Sequence, residues 1–329
     1  MNEYYKEKSI LITGAAGSIG QALIDKLLEF DITSIGCFDN NENGVFALRE
    51  RYSCEKSGKI KFLLGDIKDL PRLEYAFKGV DIVFHTASYK HVLECEYNPL
   101  DAVNTNIIGT ANVVKAAINQ GVGKVIYTST DKAANPSNTM GTSKLMAEKV
   151  IVAANEYGGR NTVFSCCRFG NVIGTSGSVI PLFIKQIKNE KKVTLTDPEM
   201  TRFMISQEKA IDLVLKTAIL SDGGEIFIFK MPSVKIDDLA DALIEKYGVA
   251  DKVIIGKKPG EKMYEEIMTD EESFRAFEND EMYVINPYLG GPKDRRVEGF
   301  TPVEMIKNSS EMDVLTKDEI SKVLAGAGL

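Results

Sequence analysis

Six short runs in the first half of the chain are apolar almost throughout: "SILIT" (9–13), "SIGCF" (34–38), "IKFLLG" (60–65), "DIVFHT" (81–86), "KVIYTS" (124–129) and "TVFSCCRF" (162–169). Stretches with helical spacing separate them, among them "SIGQALIDKLLEF" and "PLDAVNTNIIGTANVVKAAINQ". Strands that are apolar on both faces and alternate with helices predict a parallel sheet covered on both sides, the doubly wound α/β (Rossmann) class. Ligands of such sheets bind beyond the carboxyl ends of the strands. Attention therefore falls on Thr13 to Gly20, Asp39, Asp66, His85 to His91, Ser129 to Lys132 and Arg168 to Asn171.

After residue 172 the alternation weakens through "GTSGSVIPLFIKQI", "VTLTDPEMTRFM", a further helix and the strand-like "EIFIFK". Helical patterns follow in "KIDDLADALIEKYG" and "KMYEEI", then a polar, irregular tail. The division expected is a dinucleotide-binding domain over 1–172 and 203–232, with a smaller, discontinuous substrate-binding lobe over 173–202 and 233–329. At 329 residues the chain can bury a sizeable core.

A formal net charge of -7 argues against a partner bound through a nucleic-acid backbone and points to a small ligand. The start, "MNEYYKEKSI", lacks the apolar core of a secretory signal, and no apolar run approaches the roughly 20 residues of a membrane span. Five scattered cysteines, Cys37, Cys54, Cys95, Cys166 and Cys167, show no Cys-x-x-Cys spacing. These features predict a soluble, cytoplasmic protein. Its two histidines assemble neither a metal cluster nor a Ser-His-Asp triad.

"ILITGAAGSIGQALIDKLL" sets Gly14, Gly17 and Gly20 between a strand and a helix. Glycines let the backbone approach a pyrophosphate, and the following helix offers free N–H groups and its positive end. Ala16, Ser18 and Ile19 belong to the same turn. Asp39, closing the second strand, suits the hydroxyls of an adenosine ribose and repels a 2′-phosphate, which favours NAD+ over the alternative NADP+. It also suits the turn "DNNENG". Asp66 with Ile67 is placed to contact adenine, or as a helix cap; Thr86 and Ala87 follow the fourth strand.

The glycine triplet, "HTASYKHV", "NTNIIGT", "STDK" and a later Met-x-x-x-Lys together resemble the extended short-chain dehydrogenase/reductase family. More narrowly, "STDKAANPSNTMGTSKLMAEK", "CRFGNVIGTSGSVIPLF", "MTRFMIS" and "KKPGEKMYEEI" look like the nucleotide-sugar 4,6-dehydratases of polysaccharide biosynthesis, especially those acting on UDP-N-acetylglucosamine. The resemblance implies a tightly held NAD+ that takes hydride from C4 of a UDP-sugar and returns it to C6 after water is lost across C5 and C6. It also implies a homodimer or larger homo-oligomer.

In the common version of that site a tyrosine takes the hydroxyl proton, whereas Met140, at its position, has none to exchange. Lys144, one turn later, is expected to bond the nicotinamide ribose. The resemblance gives Asp131 the acid role at C6 and Lys132 the base role at C5. We add that Asp131 takes the C4 hydroxyl proton first. Two conditions follow: the strand must end before Asp131, and Lys132 must become partly neutral, which a tight Asp131–Lys132 ion pair would oppose. Thr130 and Ser129 are expected to position cofactor or substrate hydroxyls.

For the substrate, Lys90, Asn171, Arg202, Glu261 and Lys262 are the candidates, Arg202 and Asn171 by resemblance the stronger ones. Arg168 is read as facing the cleft or closing a structural ion pair. Asn106 is read as ordering the site or as bending a buried helix. Two alternatives stand beside the dehydratase: a C4 epimerase, which would ordinarily need the tyrosine, and a non-catalytic dinucleotide sensor.

Overall fold

The computed structural model describes residues 1–53, 58–157, 161–175, 177–288, 299–303, 308–312 and 314–329. All six expected strands form: β1 (Ser9–Thr13), β2 (Ser34–Asp39), β3 (Ile60–Leu64), β4 (Ile82–His85), β5 (Lys124–Thr130) and β6 (Val163–Phe169). Next come β7 (Asn171–Val172), β8 (Lys192–Leu195), β9 (Thr201–Ile205) and β10 (Ile226–Phe229), then β11 (Ser233–Lys235) and β12 (Asp251–Ile254), and last β13 (Ala276–Glu278), β14 (Met282–Ile285) and β15 (Thr301–Pro302).

The main sheet runs β15-β13-β14-β10-β6-β5-β4-β1-β2-β3. From β3 to β10 every pairing is parallel; β14, β13 and β15 extend it antiparallel. The order in which strands are added reverses between the parallel neighbours β1 and β4, where Thr13 lies opposite His85, so the crevice of a doubly wound sheet opens just beyond these two residues. The inner parallel strands are buried on both faces, as their apolar runs require, while β3 at the sheet edge is partly exposed. This is the extended short-chain dehydrogenase/reductase fold.

A second apolar core gathers Ile173, Ile180, Phe183 and Met200 with Leu239, Leu243 and Leu324. It is served by the small sheets β11-β9-β7 and β12-β8. The expected division needs two corrections. β9, whose larger part was placed with the dinucleotide-binding domain, pairs in the small sheet, and β13 to β15 complete the main sheet instead of the second lobe.

"KMYEEI" is not helical. Its backbone is engaged elsewhere: the carbonyls of Lys262, Met263 and Glu265 accept from Arg202, Thr201 and Ser309, bonds that a helix would have consumed. Nor is the tail irregular throughout, for Lys317–Gly326 is a helix opened by a capping box between Thr316 and Glu319. Cys37, Cys95, Cys166 and Cys167 are buried free thiols, and Cys54 lies outside the described residues.

Candidate active site

A cleft of about 1110 Å³ opens along the carboxyl ends of the parallel strands. Every expected cofactor residue lines it: Gly14, Ala16, Gly17, Ser18, Ile19, Gly20, Asp39, Asp66, Ile67, Thr86, Ala87 and Lys144. Gly14 has φ +72°, and a Cβ there would lie 2.7 Å from the Ala87 nitrogen, so only glycine allows the turn to pack on the end of β4. Gly17 caps the helix Ser18–Leu27, whose amino end faces the cleft.

Asp39 holds this turn, one carboxylate oxygen accepting from Ala16 N at 2.9 Å and the other from Asn41 N at 2.9 Å. The ribose reading and the turn reading of this residue are thus compatible. Asp66 accepts from Lys68 N and the Asn40 side chain; burial pushes its carboxyl up, but these bonds and the Lys68 charge bring it below the usual range. His85 lies buried between the hydroxyls of Thr13 (2.7 Å) and Thr110 (3.0 Å). Burial, helped by Lys144, lowers it to about 3, so it is neutral at pH 7 and structural.

β5 ends at Thr130, and Asp131–Ala133 form a single 3-10 turn. The first condition on the acid–base pair is therefore met: both side chains reach one place, with Lys132 Nζ donating to Asp131 Oδ1 at 2.9 Å. The second is not met as the site stands. Burial disfavours the Lys132 charge most strongly, but Asp131 and Glu265 outweigh it and hold the ammonium above its ordinary value.

Asp131 is buried and, unlike Thr130, Lys132 and Lys144, does not line the cleft itself. Thr130 Oγ1, which does, donates to Asp131 Oδ1 at 2.9 Å. The other carboxylate oxygen, Oδ2, has no hydrogen-bond partner among the described residues. It faces Gly170, where a Cβ would approach it to 3.1 Å.

Met140 lines the cleft from the first turn of the helix Thr139–Tyr157, packed with Cys95, Ala102 and Val92. On the same helix Lys144 donates to Thr128 O at 3.0 Å and lies over the Tyr127 ring. Burial lowers its ammonium to about 8, Glu148 partly opposing. Asn106 satisfies both readings made of it. It sits in a π-helical segment, Val103–Gly109, and its amide binds Tyr89 N, Tyr89 O and Ser143 Oγ, fastening the loop after β4 to the helix of Met140 and Lys144.

On the substrate side, Lys90, Asn171 and Glu261 line the cleft, and Asn171 Oδ1 accepts from Lys132 Nζ at 3.3 Å. Two expectations need correction. Arg202 does not line the cleft: its guanidinium donates to the carbonyls of Thr201, Met263 and Lys262, and its Nε lies 3.6 Å from Glu265. Lys262 likewise donates to Ala134 O and Glu266. Both cations hold the 262–267 segment in place rather than lining the cleft.

Arg168 takes its structural alternative, buried between Glu148 and Glu272. The residue that sequence reasoning missed is Glu265. It is buried and lies 3.6 Å from Lys132 Nζ, four positions beyond the noted Glu261, in a segment whose helical spacing concealed it.

The family model described as "Polysaccharide biosynthesis protein" matches residues 10–287. The chain belongs to that family. It is 46% identical, over 98% of its length and 97% of the relative's, to a Methanocaldococcus jannaschii protein named an uncharacterized membrane protein. Among the described residues no helix is long and apolar enough to cross a membrane. It is 39% identical to a Rickettsia felis UDP-glucose 4-epimerase, with 97% of the chain and 96% of the relative covered.

Among solved structures, Pen from Bacillus thuringiensis superposes with a TM-score of 0.90 at 41% identity, over 98% of both chains. A Streptomyces venezuelae dTDP-glucose 4,6-dehydratase with NAD and TYD bound matches in fold, at a TM-score of 0.71 and 22% identity over 78% of this family member and 86% of that chain.

Proposed function

We propose that this family member is an NAD-dependent nucleotide-sugar 4,6-dehydratase acting on UDP-N-acetylglucosamine. The reading is supported by the Asp131–Lys132 pair at the end of β5, with Lys132, Lys144 and Met140 lining one cleft and a thioether where a phenol would act. The glycine turn, Asp39 and Lys144 would hold the dinucleotide, Asp39 favouring NAD over NADP. When bound, that group supplies a hydride acceptor at C4 that becomes the donor to C6.

The chain's own groups move the protons. Thr130 passes the C4 hydroxyl proton to Asp131. A neutral Asp131 no longer stabilises the Lys132 ammonium, so the first transfer lets Lys132, which lines the open cleft, release its proton to solvent and then take the C5 proton. Asp131 then returns its proton, again through Thr130, to the departing C6 hydroxyl, which leaves as water, and Lys132 gives a proton back to C5. Asn171, Lys90 and Glu261 face the sugar nucleotide. The exposed apolar side chains of Tyr97, Leu100 and Ile108, on the successive helical segments after β4, are available to a homodimer.

The second reading, a C4 epimerase, is favoured by the curated relatives of that name. It lacks the tyrosine base at Met140. Incubation with UDP-N-acetylglucosamine in deuterated water separates the two. We expect a 4-keto-6-deoxy product carrying deuterium at C5; formation of UDP-N-acetylgalactosamine alone would establish the epimerase, and no turnover at all would favour a dinucleotide sensor.

A further inference from the structure

The proton scheme leaves Glu265 without a task, although its carboxylate shares Lys132 with Asp131. Lys132 Nζ is 2.9 Å from Asp131 Oδ1, 3.6 Å from Glu265 Oε1 and 3.3 Å from Asn171 Oδ1. The charged groups facing it are Asp131 from its own turn, Arg202 from β9 and Glu265 from the 262–267 segment; Lys262, which also bears on Glu265, is itself paired with Glu266. Glu265 is fixed by its surroundings: its backbone N–H donates to Ser309 Oγ at 2.9 Å, its carbonyl accepts from Ser309 N, and Arg202 Nε flanks its Oε1. Its second oxygen, Oε2, is buried with no partner among the described residues.

Two buried carboxylates thus face the buried Arg202 and the half-buried Lys132. When Asp131 takes up a proton, one carboxylate remains, and it is Glu265. We propose that Glu265 is a positioning residue for the C5 deprotonation: it is the counter-ion left on Lys132 after Asp131 has been protonated, and it sets the pH at which Lys132 becomes a base. This inference rests on the dehydratase reading and extends it. Burial favours a neutral Lys132 and Glu265 opposes it, so the residue keeps the lysine charged until substrate chemistry has begun. Burial likewise pushes the Glu265 carboxyl upward, with Lys132 the main restraint, as a mutually dependent pair requires.

The test compares wild type, Glu265→Gln and the conservative Glu265→Asp by two readouts. The first is the pH profile of deuterium incorporation at C5 from deuterated water. The rate rises with pH as Lys132 loses its proton. Removing the counter-ion should therefore move this acid limb down by about one pH unit in Glu265→Gln, with Glu265→Asp close to wild type. An unmoved limb with a uniformly lower rate would show a purely structural residue and overturn the proposal.

The second readout needs no turnover: the pH dependence of Lys132 acylation, followed by mass spectrometry on the substrate-free enzyme. Lys132 should titrate at lower pH in Glu265→Gln. An unshifted titration overturns the control of Lys132 by Glu265 whatever the activity. A shifted titration in proteins that do not dehydrate the sugar nucleotide upholds that control and removes the dehydratase reading instead.

Discussion

Two ionic groups lie at the carboxyl ends of β5 and β6, and they are finished to different degrees. Around Arg168, Glu148 and Glu272 accept four guanidinium hydrogen bonds at 2.6–2.9 Å, and Ile267 O accepts a fifth at 3.2 Å. All five donors are used. This group ties β6 to the helix Thr139–Tyr157 and to the short helix Asp270–Ser273. Around Lys132, by contrast, Asp131 Oδ2 and Glu265 Oε2 are buried without partners among the described residues, and the closest Glu265 approaches are 3.6 Å. A saturated ionic group can only hold parts together. One with spare acceptors in a low-dielectric site can still take up a proton, which is where strained or unpaired buried groups gain chemical use.

If that contrast is sound, charge removal should cost activity in one group and stability in the other. The largest effect is expected at Asp131→Asn, which keeps the side-chain shape and removes the proton acceptor. Dehydration should fall by at least about 100-fold, while the thermal midpoint stays at or above that of wild type, because a charge has left a buried site. Product formation followed by NMR, with melting curves on the same samples, decides this. A fully active Asp131→Asn enzyme would remove Asp131 from the mechanism, and one that unfolds would make the two ionic groups alike.

Arg168→Leu should do the opposite. It strands Glu148 and Glu272 as buried, uncompensated carboxylates, and urea denaturation should show a loss of about 3–5 kcal/mol. Adding Glu148→Gln and Glu272→Gln to that variant should recover part of the loss, since neutral amides tolerate burial far better. A single variant as stable as wild type would break the comparison from the structural side.

The sequence made the working group more legible than the structural one, for a physical reason. β1, β2, β4, β5 and β6 are buried through both faces, so their ends, and with them Gly14, Asp39, Thr130 and Asp131, are placed by local pattern alone. The turn at Asp131–Lys132 is announced by "AANP" directly after a strand. Glu265 and the true use of Arg202 carry no such signal, because their partners are far away in the chain and their own segment is held by backbone bonds from Thr201 and Ser309. β13 to β15 escaped notice because they are short and paired antiparallel at an edge that only the fold creates. The last helix did leave a mark, the Thr316–Glu319 capping box.

The smallest effect is expected at Met140, which belongs to neither group. Its side chain packs with Cys95, Ala102 and Val92 and reaches the cleft wall. A tyrosine there must turn its phenol toward the cleft, so overpacking of about 1–3 kcal/mol is the ceiling on lost stability. Dehydration by Met140→Tyr should stay within about tenfold of wild type, an effect of no more than about 1.4 kcal/mol in barrier, because Asp131 already handles the C4 proton. A much larger gain would mean that Asp131 does so poorly. The double variant Asp131→Asn with Met140→Tyr sharpens the point. Its phenol could take the C4 hydroxyl proton, but nothing would remain to protonate the departing C6 hydroxyl. It should therefore exchange or epimerise at C4 without losing water, and dehydration restored in this variant would place the C6 acid elsewhere than Asp131.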